Sequence, residues 1–256
     1  VWLAYLCACK RNLVPGQISY LTDADCLAQL GLSGVELRDA TGAGWLDDIA
    51  KFAFDTDLRP DLTAEKLASL KPAFDRRIAP GAGTLTAGNS TPLTDGASTV
   101  LLGSEDWAEA RGLPVLAYLT HSETAAVDFV GGHEGMLMAP AYAVPRMLAR
   151  AGLRLQDFDY YEIHEAFAAQ VLCTLKAWED PVFCRERLGL AEPLGPIDRS
   201  RLNVLGSSLA AGHPFAATGA RIVATLAKQL ARRGQGRGLI SICAAGGQGV
   251  VAILER

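Results

Sequence analysis

From Leu113 onward, β-rich runs alternate with segments whose apolar residues recur at helical spacing, and this alternation limits the fold more than any other feature. "LPVLAYLTH" reads as a strand and "PAYAVPRMLARAGL" as a helix stopped by Gly152. "FDYYEI" reads as a strand running directly into the helix "HEAFAAQVLCTLKAW". After the loop "GLAEPLGPID" comes the strand-like "LNVLGS". The helix from Ala216 to Arg233 then places Ile222, Val223, Leu226 and Leu230 on one face. "GLISIC" and "VVAILE" close the series, joined by "AAGGQG", a hairpin-like connection. Strands alternating with amphipathic helices require a sheet covered on both faces, which is an α/β architecture.

Upstream the pattern is less regular. In residues 1–60 short apolar runs are broken by Gly, Asp and Pro, and only "GLSGVELRDATGAGWLDDIAKFAFD" suggests a helix, near its end. "LTAEKLASL" is a clearer helix, with Thr63 as N-cap, Leu67 and Leu70 on one face and Pro72 as the stop. "GTLTAGNSTPLTDGASTVLLGSEDWAEARGL" reads as a strand into a polar loop and a small-residue segment running into "STVLL". A helix from Ser104 ended by Gly112 completes it.

With 256 residues, 50% of them hydrophobic and 20% charged, the chain can bury a substantial core. A net charge of −4 without a long basic run argues against nucleic acid as partner. No apolar run reaches the roughly 18 residues of a membrane span. The start, "VWLAYLCACKRNLV", is apolar before it is basic, the reverse of a secretory signal, and it lacks an initiating Met, as a fragment would. The six cysteines form no C-x-x-C pair and suit free thiols in a reducing compartment.

Three places could hold chemistry. His213 stands between Gly212, which permits close backbone approach, and Pro214, which fixes φ, in a small-residue run at a strand-to-helix junction. It could equally be a buried histidine satisfying a backbone group. His164 and Glu165 fall where an apolar strand ends and a helix begins, the edge at which α/β sheets bind ligands. They also suit a plain helix start, with Glu165 on the helix dipole. A zinc site is excluded there, because H-E-x-x-H needs a second His where Ala168 stands. Cys243 ends a buried-looking strand just before a glycine-containing turn whose amides could face a developing negative charge, although a buried Cys is commonly a small hydrophobe. A serine hydrolase is disfavoured, since "LGSSLAAG" lacks G-x-S-x-G.

Taken together and in order, "LKPAFDRR", "GTLTAGNSTPLTDGAS", "MLMAPAYAVPRML", "EIHEAFAAQ", "NVLGSSLAAGHPFAATGAR" and "CAAGGQGVVAILE" resemble the thiolase family, across about residues 60 to 256. Thiolases make or cleave 3-ketoacyl-coenzyme A. "HEAFA" and "GHPFAATGAR" are most similar to long-chain 3-ketoacyl-CoA thiolases, including β-subunits of fatty-acid oxidation complexes. The resemblance implies a complete carboxy-terminal βαβαβαββ half over 113–256, and a partial amino-terminal and loop region over 1–112 in which 1–60 stay unassigned.

By that resemblance His213 is the base that takes the proton from a nucleophilic cysteine and later from coenzyme A. His164, with water, helps hold the thioester oxygen as an enolate forms, and Cys243 protonates that enolate. The Ala245 amide helps form a second oxyanion hole, and Thr91 lies near the pantetheine arm. Coenzyme A is a substrate; no resident cofactor or metal is implied. The implied reaction is ping-pong acyl transfer through an acyl-cysteine, a Claisen cleavage in fatty-acid β-oxidation. The implied partners are further copies of the chain and a hydratase/dehydrogenase α-subunit. The implied compartment is the bacterial cytoplasm or the mitochondrial matrix.

One family element is missing. The nucleophile lies in a segment reading roughly C-[SG]-S-G, and none of Cys7, Cys9, Cys26, Cys173 and Cys184 precedes such a sequence. Two expectations follow: a carboxy-terminal thiolase portion whose catalysis needs the other half, or a non-catalytic acyl-CoA binding or interaction module.

Overall fold

The computed structural model describes residues 63–74 and 83–256. The helix expected before residue 55, and Cys7, Cys9 and Cys26, lie outside the described residues. In chain order the elements are α1 (Ala64–Ala68), α2 (Glu105–Glu109), β1 (Tyr118–Ala126), α3 (Ala139–Ala151), β2 (Tyr160–Ile163) and α4 (Ala168–Glu179). They continue with α5 (Pro181–Glu186), α6 (Ser208–Ala211), α7 (Thr218–Arg233), β3 (Arg237–Ala244) and β4 (Gln248–Glu255).

The strands form one sheet in the order β1-β4-β3-β2, parallel between β2 and β3 and antiparallel elsewhere. β3 is buried on both faces, which explains its near-continuous apolar run. Leu239 points into a core with Val144, Met147, Leu148, Leu175 and Trp178 from α3 and α4, while Ile240 meets Ile222, Leu226 and Leu230 of α7. Gly238 lets α7 come this close: a Cβ there would lie 2.4 Å from Leu226 Cδ1. The expected helix stop holds at Gly152 (φ 66), the left-handed cap of α3, whereas α2 ends earlier than expected, at Glu109 with Ala110 as its cap, and Gly112 (φ 60) turns the chain beyond it.

α1 is capped by Thr63, whose hydroxyl accepts from the Lys66 N–H at 3.2 Å, and Leu67 and Leu70 together cover Gly88. α2 begins after Ser104 as expected. The strand anticipated at "GTLTAG" is instead a 3-10 turn over Ala87–Asn89, closed by a capping box. The Thr86 hydroxyl accepts from Gly88 N–H at 3.2 Å, and Asn89 Oδ1 accepts from Thr86 N–H at 2.8 Å. Side chains thus supply locally the partners that a ladder would have given. "STVLL" likewise joins no sheet, leaving Leu101 and Leu102 each 71% exposed.

Four differences concern the second half. β1 starts at Tyr118 rather than Leu113, because its partner β4 ends at Glu255, opposite Tyr118. β2 does not run directly into a helix, since residues 164–167 intervene before α4. α5 was not anticipated, although Asp180 followed by Pro181 is an N-cap and first-turn signal: Asp180 Oδ1 accepts from Val182 and Phe183 N–H at 2.8 and 3.1 Å.

The fourth is "LNVLGS". The third strand of the expected series shrinks to a single parallel bridge between Leu202 and Tyr161. Beyond it Asn203 turns into the left-handed region (φ 47), and its side chain takes over the pairing. Its Oδ1 accepts from Ile163 N–H and its Nδ2 donates to Ile163 C=O, both at 2.9 Å. One amide side chain therefore replaces a residue of neighbouring strand.

Replacing Asn203 by Ala leaves both polar groups of Ile163 buried and unpaired. The expected loss is about 2 to 3 kcal/mol of unfolding free energy, measured by urea denaturation. A loss below about 0.5 kcal/mol would show that the 203–213 segment is held without it.

Candidate active site

The site grows from the C-terminal ends of the parallel pair β2 and β3. The His164 N–H donates to Ser241 C=O at 2.9 Å, which carries the ladder one residue past β2 and fixes this backbone. The His164 side chain is only 1% exposed. Its Nδ1 lies 2.7 Å from the hydroxyl of Ser208, the first residue of α6. Glu165 does not serve the dipole of α4. Its Oε1 accepts from Asn203 Nδ2 at 2.6 Å and its Oε2 from Leu209 N–H at 3.1 Å, tying residues 203–209 to the end of β2.

α6 ends at Ala211, and its cap Gly212, with φ of 82 and ψ of 173 in a region that residues with a side chain avoid, turns the chain into His213. His213 Nδ1 lies 2.7 Å from Thr218 Oγ1, at the start of α7. The Thr218 hydroxyl has an acceptor of its own in Pro214 C=O, at 3.1 Å. The rings of His164 and His213 meet with centroids 4.2 Å apart and tilted by 46°. Phe215 lies against His213 at 4.8 Å and is 80% exposed.

Cys243 arrives on the neighbouring strand. It is 4% exposed, and burial pushes its thiol up to about 12, so it is protonated at neutral pH. After β3 the chain reverses through Ala245, Gly246 and Gly247, both glycines being left-handed (φ 88 and 77). Ala245 is exposed at the tip. Gly247 cannot carry a side chain, because a Cβ would lie 2.5 Å from Val127 C=O at the end of β1.

Thr91 is committed to the protein itself: its hydroxyl and its N–H both donate to Ala166 C=O, at 3.3 and 3.1 Å. With the Ser90–Phe167 bridge and the edge-on contact of Phe74 with Phe167 at 5.5 Å, it braces the loop after His164. Gly96 packs onto Pro214, where a Cβ would approach Cγ to 2.7 Å. The 83–98 segment thus supports both histidine loops.

Beneath the imidazoles lies a buried polar group that sequence reasoning missed. Arg221 donates from Nη2 to Ser208 Oγ at 3.2 Å and Ser207 Oγ at 3.5 Å. Glu162, fully buried on β2, accepts from Gln229 Nε2 at 2.8 Å. The signal was present in "NVLGSSLAAGHPFAATGAR": its only charge, Arg221, and its hydroxyls stand in an otherwise small and apolar run. Burial, then His213 and Arg221, pull His164 down to about 3. Burial and Arg221 lower His213 as well. Burial raises Glu162 to about 7. Both imidazoles are therefore neutral, and the thiol near the end of the paired strand β3 is protonated, a set of groups that can move protons and donate hydrogen bonds to an oxyanion.

Parallel strands that end in acid–base groups place this chain among α/β proteins with their site at the C-terminal sheet edge. The thiolase C-terminal domain model matches residues 113–256 and the thiolase N-terminal domain model matches residues 42–106, so the chain belongs to the thiolase family. The 3-ketoacyl-CoA thiolase of Yersinia pestis is 46% identical over 227 residues, covering 85% of this chain and 50% of the relative. The chain thus spans about half the length of the curated relatives it matches. Among solved structures, Bacillus anthracis acetyl-CoA acetyltransferase is 40% identical with a TM-score of 0.62, and 78% of this chain covers 44% of that one. Human mitochondrial 3-ketoacyl-CoA thiolase in complex with CoA is 34% identical with a TM-score of 0.63, at the same coverage of 78% and 44%.

Glu162 and His164 give opposite pH dependences. A carboxyl raised from 4.5 to about 7 binds more protons folded than unfolded, so its contribution to stability falls as pH rises across that window. An imidazole lowered from 6.5 to about 3 binds fewer protons folded, so its contribution rises with pH between those values. Glu162→Gln removes only the first. Urea unfolding at a series of pH values is expected to show a stability that climbs more steeply between 4.5 and 7 than in the parent; an unchanged slope would place the buried proton elsewhere.

Proposed function

We propose that this chain supplies the carboxy-terminal half of a 3-ketoacyl-CoA thiolase site, an acyl-CoA C-acyltransferase acting in fatty-acid β-oxidation. The observation that carries the reading is the His164–His213 ring contact at 4.2 Å past the end of β2, with the protonated thiol of Cys243 near the end of the paired strand β3. The similarity to proteins named 3-ketoacyl-CoA thiolase supports the substrate class.

In this reading His213 takes the proton from an attacking cysteine, whose sulfur forms a bond to the 3-keto carbon. The C2–C3 bond then breaks, leaving the shortened acyl group on sulfur and the electron pair on the acetyl-CoA enolate. His164 donates a hydrogen bond to the enolate oxygen. Cys243 gives its proton to C2, as only a strongly basic carbon would demand of so weak an acid. The proton held by His213 returns the Cys243 thiolate to the thiol. Coenzyme A then loses its thiol proton to the freed His213, attacks the acyl-cysteine and leaves as the shortened acyl-CoA, and the expelled cysteine thiolate takes the proton back from His213. Ala245 N–H faces the tetrahedral oxygen of these steps. Thr91 acts toward the pantetheine arm through the loop it braces. Coenzyme A is substrate throughout, and no resident cofactor takes part.

The attacking cysteine comes, in this proposal, from the part of the relatives' length that this chain does not span. Cys184 donates to the carbonyls of Ala177 and Trp178 at 3.4 Å, in the core under α4, and Cys173 is exposed on α4. A non-catalytic acyl-CoA module has no use for two imidazoles in contact, each anchored by a hydroxyl, together with a buried protonated thiol on the paired strand, so the catalytic reading is preferred. Self-association, a hydratase/dehydrogenase α-subunit as partner, and a bacterial cytoplasmic or mitochondrial matrix setting belong to the same proposal. No helix among the described residues is long and apolar enough to cross a membrane.

Thiolysis of a 3-ketoacyl-CoA by CoA provides the test. The 256-residue chain alone is expected to show no turnover. Addition of a polypeptide carrying the complementary thiolase half with its cysteine should restore activity, and His213→Ala should then reduce it by about 10² or more. Robust turnover by the chain alone would refute the externally supplied nucleophile.

A further inference from the structure

The two imidazoles are held by hydroxyls of different standing. Thr218 has an acceptor for its proton, Pro214 C=O at 3.1 Å, so its oxygen is left to accept from His213 Nδ1–H at 2.7 Å. Ser208 is fully buried, and its oxygen already accepts from the Arg221 guanidinium at 3.2 Å. Arg221 can only donate. Among the described residues the acceptor within reach of the Ser208 O–H is His164 Nδ1, at 2.7 Å. Protonating that nitrogen would aim two donors at one oxygen and strand the Ser208 proton in the interior, which buried polar groups avoid.

We propose that Ser208, oriented by the buried Arg221, is a positioning residue that fixes His164 as the neutral Nε2–H tautomer, opposite to the Nδ1–H tautomer that Thr218 sets in His213. The site then presents one N–H and one lone pair from two rings in contact. Two rings of the Nδ1–H form would offer two lone pairs to a substrate oxygen and no donor. Two of the Nε2–H form would leave no base. The chemical value of this split rests on the thiolase reading above, but the tautomers themselves are properties of this chain and are measured without turnover.

Long-range 1H–15N correlation spectra of the full chain labelled at histidine, recorded above pH 7, read each tautomer directly. The expected pattern for His164 is a pyridine-type Nδ1 and a pyrrole-type Nε2, with the reverse for His213. The other pattern at either ring overturns the assignment. In Ser208→Ala the Nδ1 signal of His164 is expected to move toward that of a nitrogen without a hydrogen bond, with His213 unchanged, whereas Ser208→Thr keeps the parent spectrum. An unmoved His164 signal in a Ser208→Ala protein with a parent-like thermal melt removes Ser208 from the role. If that variant fails to fold, the parent spectrum alone decides the tautomers. Failure of the thiolysis reconstitution with the expected spectra would count against the thiolase reading and leave the tautomer assignment standing.

Discussion

The pairing of the Asn203 side chain with Ile163 is the contact on which the site depends. β2 has β3 on one side, and on the other it needs partners for backbone groups buried at its end. A regular strand would have supplied them and carried the chain onward in extended form. An asparagine in the left-handed region supplies them while turning the chain, so that α6, Gly212 and His213 fold back over the end of β2. Glu165 closes the same junction from below by accepting from Asn203 and from Leu209 N–H. The imidazoles of His164 and His213 come from segments nearly fifty residues apart, and this junction brings them into contact.

Most of the fold was legible because its signals are local or periodic. The helix face of Ile222, Leu226 and Leu230, the stop at Gly152 and the β3–β4 hairpin all follow from spacing and turn chemistry. "LNVLGS" defeats the same reasoning, because its β-rich composition describes residues that do pair with a strand, but through one bridge and one side chain. The Thr86 box fails it differently: "GTLTAG" has strand composition, and its hydroxyl and amide groups satisfy the backbone first.

The candidate site was legible as a set of chemical groups but not as a network. His164, His213 and Cys243 stand out as reactive residue types at element ends. Ser208, Thr218 and Arg221 belong to the run 203–221 that also holds His213, yet hydroxyls near a helix start read as caps, and an arginine on a helix reads as solvated. Only the three-dimensional arrangement shows Arg221 buried beneath the imidazoles with its guanidinium on the serine hydroxyls. Thr91 marks the opposite case: its resemblance to a pantetheine contact points toward ligand, while its hydroxyl donates to the Ala166 carbonyl.

Arg221 also contributes, after burial, to the charge state of the site's two histidines. Its cation adds to burial in lowering both histidines, so neither ring carries charge at neutral pH, and it accepts the proximity of Glu162 and Glu165 in return. A neutral pair over a buried cation is poor at binding a further cation and well placed for an anion. In the proposed thiolysis the thiolate, the enolate and the tetrahedral oxygen are all anions, each formed from a neutral precursor. In the proposed reaction the fixed positive charge below the rings would favour each of them without donating a proton, which leaves proton transfer, in that proposal, to His213 and Cys243.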